Sequence, residues 1–294
     1  MEWKEYNLFI PEKATDLVAL LLYELGSNGS VIHDDEHDEA GHIRVTAYFP
    51  ADDEEIANTL ECKINELKKQ GIVDDGSHMA VAAADEYEWL YAWQKYFHVR
   101  KISHRFWVEP AWETAHPLND ELVIKIEPGR SFGSGIHETT CLCVEFLEEA
   151  VQKGDFAIDI GTGTGILAIA AAKLGAAYVT AVDNDPISVE QATINVALNG
   201  VEEHVSAECS DLLQAVSRKG KKADIIVANI VSDAIVSLLS TVGSYLKDDG
   251  IFIASGIIDD RIDDIRSAAA LNGFTCEDER LRNGWYALRM RWKS

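Results

Sequence analysis

A glycine-rich segment in the second half of the chain lies between a predicted strand and a predicted helix. The apolar residues 156–160 lead into Gly161, Gly163 and Gly165, and a stretch typical of a helix begins at Ile166. Glycines let the backbone take positive φ and approach a ligand closely, and the start of a helix offers unpaired N–H donors. A strand, a glycine turn and a helix in this order are typical of nucleoside-cofactor sites.

Two acidic residues indicate which cofactor this turn holds. Asp183 ends the next predicted strand, 22 residues after Gly161, where a carboxylate can accept both hydroxyls of a ribose. Asp159 lies two residues before the turn, where it would sit beside a pyrophosphate but could assist the ammonium of a methionine moiety. Dinucleotides favour the spacing G-x-G-x-x-G, and this chain has G-x-G-x-G. The pattern favours an S-adenosylmethionine-dependent methyltransferase over a dinucleotide-dependent dehydrogenase.

Asn229 is the candidate residue at the methyl-transfer centre, where we expect it to orient the amine that accepts the methyl group. It ends the predicted strand 224–229, and α/β sheets bind ligands beyond the carboxyl ends of their strands. Enzymes that methylate the amines of bases or glutamine have a stacking aromatic just after such a residue, whereas Ile230 and Val231 follow here. A flexible aliphatic amine therefore suits the site. The alternative is that Asn229 caps the helix that begins near Ser232.

A second glycine-rich segment, residues 127–140, precedes the helix that leads into the glycine turn. Its three glycines and Phe132 indicate a tight loop that closes over a bound cofactor, with the hydroxyls of Thr139 and Thr140 beside it. The alternative is a connector in which Thr139 caps the following helix. His137 is a candidate general base, although a single histidine without a visible partner is more often structural.

The surrounding elements predict an α/β fold with two domains. Residues 1–85 have the order strand, helix, strand, strand, helix, strand of a ferredoxin-like α+β unit, a common recognition module. An aromatic-rich linker follows at 86–115, and 116–294 form a doubly wound, Rossmann-like sheet. Strands are predicted at 6–10, 29–33, 42–49, 79–83, 156–160, 178–182, 205–208, 224–229 and 251–255, with a hairpin of 274–281 and 286–292 around Asn283-Gly284. Helices are predicted at 12–25, 53–70, 141–151, 166–174, 186–199, 232–246 and 259–270.

Composition narrows the range of partners. With 26 basic and 50 acidic residues the formal charge is −24, which disfavours a nucleic-acid substrate. Trp89 and Trp93 of the linker lie four residues apart on a predicted helix, which favours packing between domains over stacking on bases.

No apolar run is long enough for a bilayer and no leader is visible, so we expect a cytoplasmic protein. The spacing of the five cysteines predicts no metal site and no disulfide framework.

These motifs, taken together and in this order, resemble the ribosomal protein L-11 methyltransferase family. The loop motif of that family reads approximately Asp/Glu-Pro-Gly-x-Ala-Phe-Gly-Thr-Gly-x-His-x-Thr-Thr. Residues 127–140 match it except that Ser131 replaces Ala and Ser134 replaces Thr. The aromatic patterns at 93–97 and 107–112 are also similar to those of the family, so the resemblance covers nearly the whole chain.

The resemblance implies a class I methyltransferase domain that uses S-adenosylmethionine. The residues expected to contact this cofactor are Thr140, Gly161, Gly163, Gly165, Asp183, Asn229 and Phe132. The implied substrates are the lysine side-chain amines and the N-terminal amine of ribosomal protein L-11, free or on the ribosome, with the N-terminal domain gripping the protein. We expect a monomer without a membrane partner. An amine methyltransferase of another protein or a small molecule, and a non-catalytic cofactor-binding adaptor, are the alternatives.

Overall fold

The chain folds into two compact units, Met1–Phe97 and His98–Ser294, in a computed structural model. The structure describes residues 3–27, 30–38, 40–51, 55–84, 98–110, 112–118, 120–127, 137–214, 216 and 221–293. Each unit buries its own apolar cluster. No helix in these described ranges is both long enough and apolar enough to cross a bilayer.

The first unit is a four-stranded antiparallel sheet covered by two helices. Its strands are β1 (Trp3–Ile10), β2 (Ser30–His37), β3 (Ile43–Pro50) and β4 (His78–Ala84). Helix α1 (Thr15–Glu24) follows a short 3-10 turn, and helix α2 (Ile56–Lys69) joins β3 to β4. The strand order β2-β3-β1-β4 is that of a ferredoxin-like unit, which confirms the predicted fold.

Two sequence periods build the core of this unit. Residues two apart on β1 and residues four apart on the helices point to the same side. The shared cluster contains Tyr6, Leu8 and Ile10 from β1, Ala14, Val18 and Leu22 from the first helical segment, and Ile56, Leu60 and Ile64 from α2. Both helices therefore pack on one face of the sheet.

A small three-stranded sheet opens the second unit. It consists of β5 (Arg100–Lys101), β6 (Phe106–Pro110) and β7 (Leu122–Ile126), with β6 and β7 parallel. Two of these strands lie in the segment that the sequence analysis assigned to a linker, so residues from His98 onward belong to the second unit. Trp89 and Trp93 lie outside the described residues.

The large sheet has seven strands in the order β10-β9-β8-β11-β12-β14-β13. The strands are β8 (Phe156–Ile160), β9 (Tyr178–Asp183), β10 (Val205–Cys209), β11 (Ala223–Asn229), β12 (Leu246–Ile258), β13 (Phe274–Arg282) and β14 (Trp285–Trp292). The helices of this unit are α3 (Glu138–Ala150), α4 (Ile166–Leu174), α5 (Pro186–Leu198), α6 (Ser232–Val242) and α7 (Ile262–Leu271). Strands β8 to β12 are parallel. Strand β14 pairs antiparallel with β12 and forms a hairpin with the edge strand β13, as predicted.

The order of the strands places a crevice at the middle of the sheet. After β8 the chain builds β9 and β10 on one side, and then crosses back to build β11 and β12 on the other. At such a reversal the connections leave in opposite directions and open a cleft beyond the carboxyl ends of the strands. The ends that meet there belong to β8, β9 and β11. They carry Gly161, Asp183 and Asn229.

Candidate functional site

The three glycines of the turn after β8 all adopt positive φ. The angles are 69° at Gly161, 52° at Gly163 and 84° at Gly165. Space is restricted as well, because a Cβ at Gly161 would lie 2.4 Å from Cγ2 of Ile230, and one at Gly165 would lie 3.2 Å from Cα of Ala192. Backbone conformation and close packing therefore both require glycine at the first and third positions of the turn.

Asp183 is connected directly to this turn. Its Oδ2 accepts a hydrogen bond from the Gly163 amide at 2.9 Å, and its Oδ1 accepts one from the Asp185 amide at 3.0 Å. The side chain is half-buried at the end of β9. Because each carboxylate oxygen can accept about two hydrogen bonds, both oxygens keep capacity for outside donors such as a pair of hydroxyls.

Asp159 supports the turn from within the sheet and is fully buried. Its Oδ2 accepts hydrogen bonds from Oγ1 of Thr162 at 2.6 Å and from the amide of Ala168 at 3.1 Å. Its Oδ1 has no hydrogen-bond partner in the described part of the chain. Burial raises the pKa of this carboxyl to about 7. Asp159 thus joins the turn to the first residues of α4 and retains one acceptor.

Asn229 and Thr140 are 89 positions apart in the sequence and come together at the crevice. Nδ2 of Asn229 donates to Oγ1 of Thr140 at 3.3 Å. Thr140 is buried in the first turn of α3, and Asn229 is half-buried at the end of β11. The helix-cap alternative for Asn229 is wrong, because Val231 occupies the cap position of α6 and no side chain caps it.

His137 occupies the N-cap position of α3, so Thr139 is not the capping residue. Its Nδ1 accepts from the Thr139 amide at 3.4 Å and lies 2.7 Å from the hydroxyl of the same residue. A neutral imidazole that accepts at Nδ1 carries its proton on Nε2. The ring meets the indole of Trp285 edge-on, with centroids 4.9 Å apart.

Trp285 is an aromatic residue near the crevice that was not predicted. The positions that directly follow Asn229, where a stacking aromatic is expected, hold Ile230 and Val231. The hairpin that carries Trp285 is fixed to α3 by hydrogen bonds: Arg282 donates to Glu145 at 2.9 Å, and Asn283 donates to Glu138 at 3.0 Å. These contacts set an indole beside the helix whose first turn holds Thr140. Nothing in the local sequence of the hairpin indicates this placement.

Asn195 is a second residue that the sequence analysis missed. It is fully buried in α5, where its Nδ2 donates to the carbonyl of Thr164 and its Oδ1 accepts from the amide of Glu127, both at 2.9 Å. One turn later, Asn199 bonds both the amide and the carbonyl of Lys125. The available signal in the sequence was two asparagines four residues apart, one inside the mostly apolar α5 and one at its C-terminal cap. They fix the start of the loop segment 127–140 against the glycine turn.

The loop itself lies mostly outside the described residues. This applies to Phe132 and to the other positions from 128 to 136. The two flanks are described and both are held, Glu127 by Asn195 and His137 by its cap of α3. The assignments of Phe132 and of the loop as a cover for the cofactor stay predictions.

The fold and the site together define a Rossmann-like class I methyltransferase. The features are a doubly wound sheet that ends in an antiparallel hairpin, a glycine turn after β8 and an acidic residue at the end of β9. A family model for ribosomal protein L11 methyltransferase (PrmA) matches residues 2–293. The chain belongs to this family.

Two curated relatives and one crystal structure illustrate the similarity. The chain is 38% identical to a ribosomal protein L11 methyltransferase of Caldanaerobacter subterraneus over 100% of both chains. It is 36% identical to one of Anoxybacillus flavithermus over 98% of both chains. The crystal structure of a ribosomal protein L11 methylase from Lactobacillus delbrueckii subsp. bulgaricus matches with a TM-score of 0.63 and 36% identity, covering 67% of this chain and 100% of that chain.

The first prediction concerns Gly161 and uses Gly200 as its matched control. Both have left-handed φ, 69° and 65°, but among the described residues a Cβ at Gly200 would meet no atom within 4 Å. Each replacement by Ala costs about 1–2 kcal/mol for the conformation, and Gly161→Ala adds about 1–3 kcal/mol for the contact with Ile230. Urea unfolding should show the larger loss for Gly161→Ala. Equal losses would contradict the close contact.

The second prediction concerns the pH dependence of stability. The pKa of Asp159 is about 7 in the folded chain and 3.8 is its ordinary value, so the native state binds this proton more tightly than the unfolded state. Its contribution to stability is therefore lost as the pH rises from about 4 to 7, and between pH 5 and pH 8 the loss is at most about 3 kcal/mol.

Asp159→Asn is the variant that isolates this effect, because Asn can still accept from Thr162 and Ala168 with its amide oxygen. All other titrating groups are common to the two proteins. The free energy of unfolding, measured with urea in the absence of cofactor, should fall more steeply with pH in the unsubstituted protein than in the variant. Parallel pH profiles would show that Asp159 is ionised across this range.

Proposed function

We propose that this protein transfers methyl groups from S-adenosylmethionine to amines of ribosomal protein L11, namely lysine side chains and the N-terminal amine. The observation that carries the proposal is the meeting of the glycine turn, Asp183 and the Asn229–Thr140 pair at one crevice. The names of relatives that match the chain over its whole length support the choice of substrate.

The residues at the crevice fit S-adenosylmethionine. Gly161, Gly163 and Gly165 have no side chains, so a ligand can approach the backbone of the turn closely. Asp183 has acceptor capacity for the two ribose hydroxyls. Oδ1 of Asp159 is a buried acceptor without a partner among the described residues, and it would suit the ammonium of the methionine moiety. When bound, the cofactor supplies an electrophilic methyl group on a sulfonium.

The protein's contribution to methyl transfer is alignment of an uncharged amine. The transfer is an in-line displacement, so holding the lone pair on the methyl axis supplies much of the rate enhancement. A lysine amine has a reference pKa near 10.4 and must lose a proton before it attacks. Aliphatic surroundings such as Ile230 and a nearby cationic sulfonium both favour the neutral amine.

Asn229 is suited to orient that amine. Its Nδ2 donates to Thr140, so the amide plane is fixed and Oδ1 is the atom left to accept from an amine N–H. His137 is less suited to act as a base, because its Nδ1 accepts from the backbone at the cap of α3. We therefore propose that Asn229 positions the nucleophile and that no dedicated base is required.

The third prediction tests this role. Asn229→Ala should lower kcat roughly 10- to 100-fold, because the amine loses its acceptor at the reacting position. Thr140→Val keeps the amide but removes the hydroxyl that holds it, and should lower kcat by a smaller factor. Both are measured under saturating cofactor, with cofactor affinity determined separately by calorimetry. Unchanged turnover in Asn229→Ala would contradict the proposal.

The fourth prediction tests the function itself. Purified protein is incubated with labelled S-adenosylmethionine and unmethylated ribosomal protein L11, and the product is digested and analysed by mass spectrometry. We expect mass shifts in units of one methyl group on lysine and N-terminal peptides. Asp183→Ala is the control, which should bind the cofactor more weakly because the expected ribose acceptor is gone.

The alternatives give distinct results in the same assay. Cofactor binding without any shift on L11 would contradict the proposed substrate and would favour an amine of another protein or a small molecule. A non-catalytic adaptor would bind S-adenosylmethionine but would form no S-adenosylhomocysteine with any amine tested. The expected monomeric state and the absence of a nucleic-acid substrate stay predictions.

The fifth prediction concerns the ferredoxin-like unit, which we propose recognises the protein substrate. This unit has its own core, and the described residues that form the crevice belong to the second unit. Removing residues 1–97 should leave cofactor binding intact, measured by calorimetry, while methylation of L11 falls below detection. Retained methylation of L11 by the truncated chain would contradict this role.

A further inference from the structure

A cluster of histidine and aspartate side chains lies at one end of the ferredoxin-like sheet. Asp38 follows β2, His42 precedes β3 and His78 begins β4. One possible ligand atom from each of these three side chains lies within 4.8 Å of the other two. The cluster is formed within the first unit and has no part in the crevice described above.

His42 is buried, and each of its ring nitrogens faces a carboxylate. Nε2 lies 2.9 Å from Oδ1 of Asp74, and Nδ1 lies 3.0 Å from Oδ2 of Asp38. Metal-binding histidines almost always hold their second nitrogen on a carboxylate or carbonyl in this way. With Nε2 held by Asp74, Nδ1 is the nitrogen directed at the cluster; it now shares a hydrogen bond with Oδ2 of Asp38, and a metal ion bound there would take the place of that proton, which leaves to solvent.

His78 is oriented in a similar way from the exposed side. Its Nδ1 lies 3.1 Å from the carbonyl of Gly76, to which it can only donate. Its ring stacks on Phe9 with centroids 4.7 Å apart and an angle of 8° between the planes. With the proton on Nδ1, the lone pair of the neutral ring is on Nε2.

Backbone amides and the hydroxyl of Ser77 hold the two carboxylates in place. Oδ1 of Asp38 accepts from the amides of Ala40 and His42, at 2.8 and 2.9 Å. Oδ1 of Asp74 accepts from the amide and the hydroxyl of Ser77, both at 3.0 Å. These bonds fix the side chains without the help of an ion and leave Oδ2 of Asp38 facing His42.

We propose that Asp38, His42 and His78 bind a divalent transition metal, with Zn²⁺ as the best match. Two imidazoles and one carboxylate suit zinc, and three protein ligands leave one position open to solvent. Zinc bonds of about 2.0–2.2 Å require the ligand atoms to approach to about 3.3 Å, and the exposed His78 can make this adjustment. Asp74 supports His42 from behind. The bound ion ties the segment between β2 and β3 to the start of β4.

The test uses the full-length chain without a histidine tag, freed of metal with a chelator and titrated with Zn²⁺ in competition with a chromophoric chelator. The key variant is His78→Phe, which keeps a ring to stack on Phe9 but has no nitrogen. His116→Phe is the matched control, because His116 is also exposed but lies in the second unit. Asp74→Asn keeps all three ligands and weakens only the support of His42.

We expect one Zn²⁺ per chain in the unsubstituted protein and in His116→Phe, at least a 10-fold weaker affinity in His78→Phe, and a loss of roughly 10- to 100-fold in Asp74→Asn. At the same concentration, Zn²⁺ should raise the melting temperature of the first two by more than that of His78→Phe. Equal affinity in His78→Phe would place the ion elsewhere, for example on the exposed thiols, and would overturn the proposal. Failure of the unsubstituted chain to bind Zn²⁺ would also overturn it. Neither outcome bears on methyl transfer.

Discussion

The site depends on one steric constraint, the close approach of the turn after β8 to the chain that leaves β11. A Cβ at Gly161 would lie 2.4 Å from the side chain of Ile230, and a Cβ at Gly256 would lie 2.2 Å from the carbonyl oxygen of Ile230. Ile230 thus fits between two glycine-lined segments. Because it cannot shift, Asn229 beside it is held at a defined place beyond the sheet.

Two buried polar side chains, those of Asp159 and Asn195, fix the glycine turn relative to the elements around it. Unpaired polar atoms are costly inside a protein, so each buried group that does find partners defines a geometry. Asp159 ties the glycine turn to α4, and Asn195 ties it to the segment before α3. The two residues hold different positions of the turn, Thr162 and Thr164. Burial also raises the pKa of the Asp159 carboxyl, whose Oδ1 has no partner among the described residues.

The two units use polar side chains differently. In the second unit, Asp183 and Asn229 are half-buried at the edge of a crevice and keep capacity for a ligand. In the first unit, His42 and its carboxylate neighbours lie together at one end of the sheet, and Thr46 donates to Asn7 at a second buried polar contact. The family match spans both units, so the ferredoxin-like unit is part of the family's architecture rather than an addition to it.

Local patterns in the sequence determined the elements of both units and the residues of the turn. Apolar periods of two and of about four reveal strands and helices because each element buries one face, and the spacing of Gly161, Gly163 and Gly165 reflects a backbone that only glycine adopts without strain. The predicted strands and helices were found with shifts of a few residues at their ends. The hairpin predicted around Asn283 and Gly284 was also found, between β13 and β14.

Tertiary structure alone decided which distant residues share the crevice. Strands β5 to β7 were not predicted: β5 has only two residues, and β6 pairs with β7 across the intervening residues 111–121. Trp285 reaches His137 from 148 positions away, and Asn195 reaches Glu127 from 68. Such contacts follow from the order of strands in a sheet and from the packing of helices on it. Local sequence periodicity carries no record of either.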